Sequence, residues 1–128
     1  MKTVRMETPS GIMAKLSDDG IVYRHYRITK HAIQRFMERV RATLDDIFPA
    51  LDRAVIADAR QAKDHRVQDQ IKRAERQGGY CLLDPETNVY FFIALGHGKL
   101  HAISTIMTLE LLTYDKGRKH EREGAGLL

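Results

Sequence analysis

Cysteine is almost absent from this chain of 128 residues, and long apolar runs are missing. Cys81 is the only cysteine, so there is no internal disulfide and no CxxC metal knuckle. The longest apolar run, Val89 to Leu95, is far too short to span a bilayer, and the N-terminus lacks the apolar core of a signal peptide. These absences predict one cytoplasmic domain, residues 1–128, that does not enter a membrane.

Motifs for cofactor and metal chemistry are missing as well. The chain has no GxGxxG, no P-loop, no HExxH and no nucleophile elbow. Its six histidines show no close ligand spacing except His97 and His101, which a glycine turn separates. We therefore expect no cofactor and no bound metal ion.

Basic residues are concentrated in one segment. The net charge is +4, but residues 21–42 hold six Lys or Arg against Glu38 alone, whereas residues 78–115 are net acidic. Clustered cations favour a phosphate-bearing partner, because binding releases counterions. A solubilising surface explains this composition equally well. The candidate nucleic-acid-binding residues are Arg24, Arg27, Lys30, Arg39 and Arg41.

Hydrophobic periodicity places helices before strands. Thr29 is a plausible N-cap, and from Lys30 onward apolar residues recur at helical spacing. A second helix follows from Leu44, which Pro49 should kink or divide. The remaining expectations are an irregular arm at 1–20, a short strand at 21–28, an exposed helix or hairpin arm at 63–79, an antiparallel meander of strands at 80–84, 89–95 and 99–111, and a polar tail at 113–128.

The predicted fold class is thus α+β, with N-terminal helices packed on a C-terminal antiparallel sheet of three to four strands. On the first helix, His31 lies in the opening turn, where the helix dipole disfavours an imidazolium, and Arg35 and Arg39 follow along the helix. A helix N-terminus with guanidinium groups suits a phosphate. The solvated side of an ordinary amphipathic helix has the same spacing.

The last predicted strand offers partners for these groups. In a regular strand His101 and Thr105 share one face, because side chains alternate. They could meet His31 and Arg35 across a cleft, or they could be a half-buried hydrogen-bonding pair.

The stretch from Thr29 to Arg39 resembles the T-x-H-A-x-x-R-x-x-x-R helix of a RelE-like group of small bacterial and phage proteins that includes BrnT-type toxins. Asp84-Pro85-Glu86-Thr87 resembles the D-x-x-T turn of that group, and Ile103-Ser104-Thr105-Ile106 resembles its final strand. The match covers residues 28–108, about two thirds of the chain, within a core of 21–112 in which 63–79 is an insertion.

The resemblance implies a RelE-like fold and a metal-independent endoribonuclease, a toxin of a toxin–antitoxin or phage system that cleaves RNA by 2′-OH transesterification. It implies that His31 is general base or acid, that Arg35 holds the phosphate with help from Arg39, that His101 is the second proton-transfer group, and that Thr105 bonds a phosphate oxygen or orients a histidine. RNA and a cognate antitoxin or other host protein are the implied partners.

Two alternatives stay open. A non-catalytic protein on the same fold would use the basic segment to bind nucleic acid without cleaving it, and its binding would depend on salt. A protein-binding inhibitor would instead hold its partner through residues 63–79.

Overall fold

A computed structural model describes residues 4–40, 42–95 and 99–112. They form one mixed sheet of eight strands with four helices. The strands are β1 (Val4–Glu7), β2 (Met13–Ser17), β3 (Gly20–Tyr23), β4 (Tyr26–Thr29), β5 (Val55–Ile56), β6 (Tyr80–Asp84), β7 (Val89–Leu95) and β8 (His101–Thr108). The helices are α1 (Lys30–Val40), α2 (Ile47–Arg53), α3 (His65–Arg76) and α4 (Leu109–Leu112), with 3-10 turns at Leu44–Asp46 and Ala59–Gln61.

The strand order is β1-β2-β3-β4-β8-β7-β6-β5. Neighbouring strands are antiparallel except β4 and β8, which run parallel and join the N-terminal strands to the C-terminal ones. The prediction of helices on a three- to four-stranded antiparallel sheet, RelE-like in architecture, is therefore wrong. Half of the sheet comes from residues before α1, where we predicted an irregular arm and a single strand.

The N-terminal strands were missed because they carry little apolar signal. All of β1 is exposed or only partly buried, and β2 buries only Ala14. The segment predicted as one strand at 21–28 is instead a hairpin, β3 and β4, which reverses at Arg24 and His25. Arg24 has a positive φ of 55°, a backbone conformation common in tight turns. Short strands with two exposed faces leave no clear alternation for sequence analysis to detect.

Helices cover the two faces of the sheet unequally. On the face we call the front, α1 and α2 bury the main core, which includes Phe36, Phe48, Phe91, Ile103 and Ile106. On the opposite face, the back, α3 packs on the β6–β8 half through Val67 and Ile71. Within the described residues no helix packs on the back of β1–β4, and the side chains there are mostly exposed. No helix among the described residues is long and apolar enough to cross a membrane.

The first helix was correctly predicted, and it protects an edge of the sheet. Thr29 accepts a hydrogen bond from the backbone N–H of Ala32 at 3.1 Å, as an N-cap should, and its hydroxyl donates to the carbonyl of Ile103 at 2.8 Å. Farther along α1, Nη1 of Arg39 donates to the carbonyl of Ile106 at 2.7 Å. Helix α1 therefore lies beside β8 beyond the end of β4. There the Thr29 and Arg39 side chains donate to β8 carbonyls that a neighbouring strand would otherwise bind.

The second predicted helix is shorter than expected. Its Thr43–Asp46 capping box is present, but a 3-10 turn precedes α2, and α2 ends at Arg53. Pro49 lies in the first turn of α2, where its missing N–H costs nothing. Residues 63–79 contain α3, which buries its thin apolar stripe instead of projecting into solvent. The meander β6-β7-β8 is confirmed.

Candidate active site

The four catalytic residues predicted from sequence lie in different surroundings. His31 is exposed on α1, and no hydrogen bond or ion pair of its side chain occurs among the described residues. Arg35 pairs with Glu38 one turn away at 2.9 Å, although its Nε is buried without a partner. His101 begins β8 on the front face, and Thr105 lies farther along β8 on the back. No described contact joins these four side chains to one another.

A β-bulge separates His101 from Thr105. Across the β7–β8 pair, Phe92 is opposite Thr105 and Ile93 is opposite Ile103, so Ser104 is an extra residue. Side-chain alternation reverses at such a residue, because two residues of one strand face one of the other. The shared face expected for His101 and Thr105 in a regular strand is therefore not formed.

The candidate nucleic-acid-binding residues are also distributed over several surfaces. Arg24 pairs with Asp52 at 2.8 Å, and Arg39 bonds to β8. Arg27 projects from the open back of β4, and Lys30 is exposed at the start of α1. Arg41 lies outside the described residues, as does His97.

His101 instead belongs to an aromatic cluster at the rim of the sheet, where β4, β6 and β8 approach the β3–β4 turn. We call His25, Tyr26, Tyr80 and His101 the rim cluster. The His25 and His101 rings lie at right angles with centroids 5.2 Å apart, and the His25 and Tyr26 centroids are 3.9 Å apart. The hydroxyl of Tyr80 is hydrogen-bonded to Nδ1 of His101 at 2.6 Å. Of the four, His25 is exposed, His101 and Tyr80 are half-buried, and Tyr26 is buried.

The backbone brings the rim cluster together. Tyr26 pairs with His101 across the parallel strands, so their side chains share the front face. The N–H of His101 donates to the carbonyl of His25 at 2.9 Å, which fixes the turn against the start of β8. Asp52 at the end of α2 holds the other side of this turn, because its carboxylate accepts from both Tyr23 and Arg24. Strands β4 and β8 and helix α2 therefore position the rim cluster together with the β3–β4 turn.

Electrostatics favour the neutral forms of His25 and Tyr80 in the rim cluster. His25 is exposed, but partial desolvation of its ring by the neighbouring groups, together with the charges of His101 and Arg24, lowers its pKa, which favours its neutral form at neutral pH. Burial and the neighbouring Tyr26 raise the pKa of Tyr80 to about 12, so its hydroxyl keeps its proton. This hydroxyl can donate to Nδ1 of neutral His101 or accept from the protonated ring. The ring can therefore keep this hydrogen bond whether or not it carries a second proton.

The rim cluster holds two imidazoles and no carboxylate among the described residues. Among the described hydrogen bonds and ion pairs, none joins a carboxylate to either imidazole. Nor do three His, Cys, Asp or Glu side chains gather anywhere in 4–40, 42–95 and 99–112 to form a metal site. The chemistry that these side chains can supply is proton transfer between two imidazoles and a phenol.

The sequence contains only a weak signal for the rim cluster. His25 and Tyr26 stand within an aromatic, β-branched stretch that we interpreted as one strand, so the turn that places Tyr26 beside His101 was not foreseen. Tyr80 begins β6 and His101 begins β8, so most of β6 and all of β7 lie between them in the sequence. The parallel pairing of β4 with β8 has no local sequence signature.

Comparisons with protein-family models, with curated proteins and with solved structures find no match for this chain. The function is therefore inferred from the chemistry of the site.

Proposed function

We propose that the protein is a metal-independent endoribonuclease whose proton-transfer groups are His25 and His101. The observation that carries the proposal is a pair of imidazoles 5.2 Å apart, one of them held through Nδ1 by Tyr80. Two such groups, one neutral and one protonated, are what transesterification of RNA requires. The proposal keeps the reaction that the sequence resemblance implies and moves its centre from His31 to the rim cluster.

In the proposed reaction, neutral His25 accepts the proton of a ribose 2′-OH while the 2′-oxygen attacks the adjacent phosphorus. A 2′-O–P bond forms, the bond from phosphorus to the 5′-oxygen of the next nucleotide breaks, and protonated His101 donates its Nε2 proton to that oxygen. The products are a 2′,3′-cyclic phosphate and a 5′-hydroxyl. Tyr80 is a positioning residue, because it fixes the His101 ring without touching the substrate.

Negative charge that develops on the phosphorane needs a nearby cation. Arg24 is next to His25 in the turn, and its charge contributes to lowering the pKa of His25. Its ion pair with Asp52 holds the guanidinium close to the rim cluster. We assign Arg24 this electrostatic role, consistent with its selection as a nucleic-acid-binding candidate.

The test is to incubate the purified protein with a single-stranded RNA oligonucleotide in excess EDTA and to analyse the fragment ends. We expect fragments with a 5′-hydroxyl and a cyclic phosphate, and no cleavage of the same oligonucleotide made with 2′-deoxyribose throughout. Cleavage that needs a divalent cation, or fragments that carry a 5′-phosphate, would refute the mechanism. Binding without any cleavage would favour the non-catalytic alternative.

A further inference from the structure

The open back of β1–β4 carries a row of side chains that crosses the sheet. Residues paired between neighbouring strands share a face, and the register links Arg5 to Lys15, Lys15 to Val22 and Val22 to Arg27. Because neighbouring strands are about 4.8 Å apart, three of these steps place Arg5 and Arg27 on the order of 14 Å apart. We call this line the basic row.

No carboxylate in the part of the chain that the structure describes pairs with the three cations of the basic row. Arg5, Lys15 and Arg27 are all exposed, and none of them forms an ion pair within the described residues. Five other arginines do form ion pairs with carboxylates: Arg24, Arg35, Arg53, Arg60 and Arg66. Glu7 is the single carboxylate that β1–β4 place on this face. The basic row is therefore a local excess of positive charge on an uncovered surface.

Beyond Arg27 the same register continues into small residues. Arg27 pairs with Ala102 on β8, and Ala102 pairs with Ala94 on β7. These alanines let a chain approach the sheet closely. Next to Ala94 a cleft of about 270 Å³ opens between the sheet and α3, and its lining includes Gln70, Arg73, Gln77, Ser104 and Thr105.

The basic row, the alanines and this cleft together form a continuous path across the back of the sheet. We infer that this path is the binding surface for a single strand of RNA, with phosphates on Arg5, Lys15 and Arg27 and the strand continuing into the cleft beside Arg73. Charge complementarity carries the inference, together with the fact that no helix within 4–40, 42–95 and 99–112 covers this surface. The half-buried side chain of Val22 and the planes of the guanidinium groups can contact bases without regard to sequence.

The position of this path suits the proposed function, on which the choice of RNA as ligand rests. Arg27 follows Tyr26 directly, and Ala102 follows His101, so the path lies one residue along the strands from the rim cluster. It runs parallel to the rim that carries His25. The path and the side chains of the rim cluster are on opposite faces of the sheet, so a strand held on the path would reach the imidazoles by passing around the rim at the β3–β4 turn.

The test measures binding apart from cleavage. Fluorescence anisotropy with an all-2′-deoxy single-stranded oligonucleotide, which has no 2′-OH to react, gives the affinity of the full chain at several salt concentrations. The variant combines Arg5→Gln, Lys15→Gln and Arg27→Gln. The control combines Arg60→Gln, Lys63→Gln and Lys72→Gln, which remove the same charge from exposed sites that do not line the path.

We expect the path variant to bind at least about tenfold more weakly than the control. The slope of log affinity against log salt should fall by about 2, since each phosphate contact on a single strand contributes about 0.7. The single reversal Lys15→Glu, at an exposed strand position, should weaken binding in the same direction if the triple variant proves unstable.

Equal affinity of the two triple variants would overturn the inference, as would tighter binding of poly-glutamate than of the oligonucleotide. Failure of the proposed function would look different. In that case the path variant would still lose affinity for the oligonucleotide, while the wild type would cleave no RNA.

Discussion

At the scale of single residues, the hydrogen bond between Tyr80 and Nδ1 of His101 fixes one of the two nitrogens of that ring. The other histidine of the pair, His25, is affected through its pKa, which partial desolvation and the charges of His101 and Arg24 lower. The two imidazoles of the rim cluster therefore differ in environment although they are close neighbours. Different environments for two titratable groups are what allow one to act as base and the other as acid.

The lowered pKa of His25 can be measured directly by following its Cε1 proton by NMR as a function of pH. We expect a midpoint below the ordinary value of 6.5, and a rise toward that value in His101→Gln, which removes a like charge. The exposed control variant His31→Gln should leave the His25 midpoint unchanged. In the unfolded chain His25 has its ordinary pKa of 6.5 and is protonated at a higher pH than in the folded chain. The free energy of unfolding should therefore decrease as pH falls through 6.5. A His25 midpoint at or above 6.5 would contradict the assignment of His25 as base.

At the scale of elements, the connections that position the rim cluster are made by side chains as well as by strand pairing. Asp52 at the end of α2 holds the β3–β4 turn. Asp84, the last residue of β6, is fully buried and accepts from Arg53 of α2 at 3.1 and 2.8 Å and from Thr87 at 2.6 Å. Both contacts fix α2 over the front of the sheet.

The buried Asp84 gives a prediction with a defined pH dependence. Burial alone would raise the pKa of Asp84, but the hydrogen bonds from Arg53, Thr87 and the Glu86 backbone outweigh it and lower the pKa below 3.8. The resulting stabilisation is complete above pH 3.8 and is lost as pH falls through the lowered pKa. Arg53→Met should reduce the free energy of unfolding at pH 7 by about 2–4 kcal/mol, because it leaves a buried carboxylate without its partner.

Urea denaturation at pH 7 and near pH 3 checks this expectation. The penalty of Arg53→Met should shrink at the lower pH, because without the guanidinium burial raises the pKa of Asp84, and its carboxyl takes up a proton in the variant. The control is Arg60→Met, since Arg60 is 89 % exposed and its pair with Asp58 lies at the surface, so its removal should leave the unfolding midpoint unchanged. An Arg53→Met penalty that is the same at both pH values would show that the contact matters only through packing.

Elements with a strong local signal were predictable, and elements that depend on distant pairing were not. Helix α1 has a continuous apolar stripe and a cap at Thr29, and the meander β6-β7-β8 consists of apolar runs separated by turns. The register shift at Ser104 has no local signal, because it is defined only against β7. One extra residue there was enough to separate His101 from Thr105, and so the predicted site was not assembled.

At the scale of the whole molecule, the two halves of the sheet have different surroundings. Among the described residues, helices pack on both faces of β6–β8, whereas α1 packs on the front of β3 and β4 and the back of β1–β4 presents the basic row. The rim cluster lies where these halves meet, at the parallel β4–β8 pair. The sequence indicated an excess of basic residues in 21–42, but the basic row also draws Arg5 and Lys15 from strands that were not predicted.

The most direct test of the central claim is the single-turnover rate at which His101→Ala cleaves an RNA oligonucleotide in EDTA, compared with wild type and with His65→Ala, an exposed histidine of α3. If His101 transfers a proton to the leaving 5′-oxygen, its loss should slow cleavage by about 10²–10⁴-fold, while His65→Ala should cleave at the wild-type rate. Cleavage by folded His101→Ala at the wild-type rate would contradict the claim that the rim cluster is the catalytic centre.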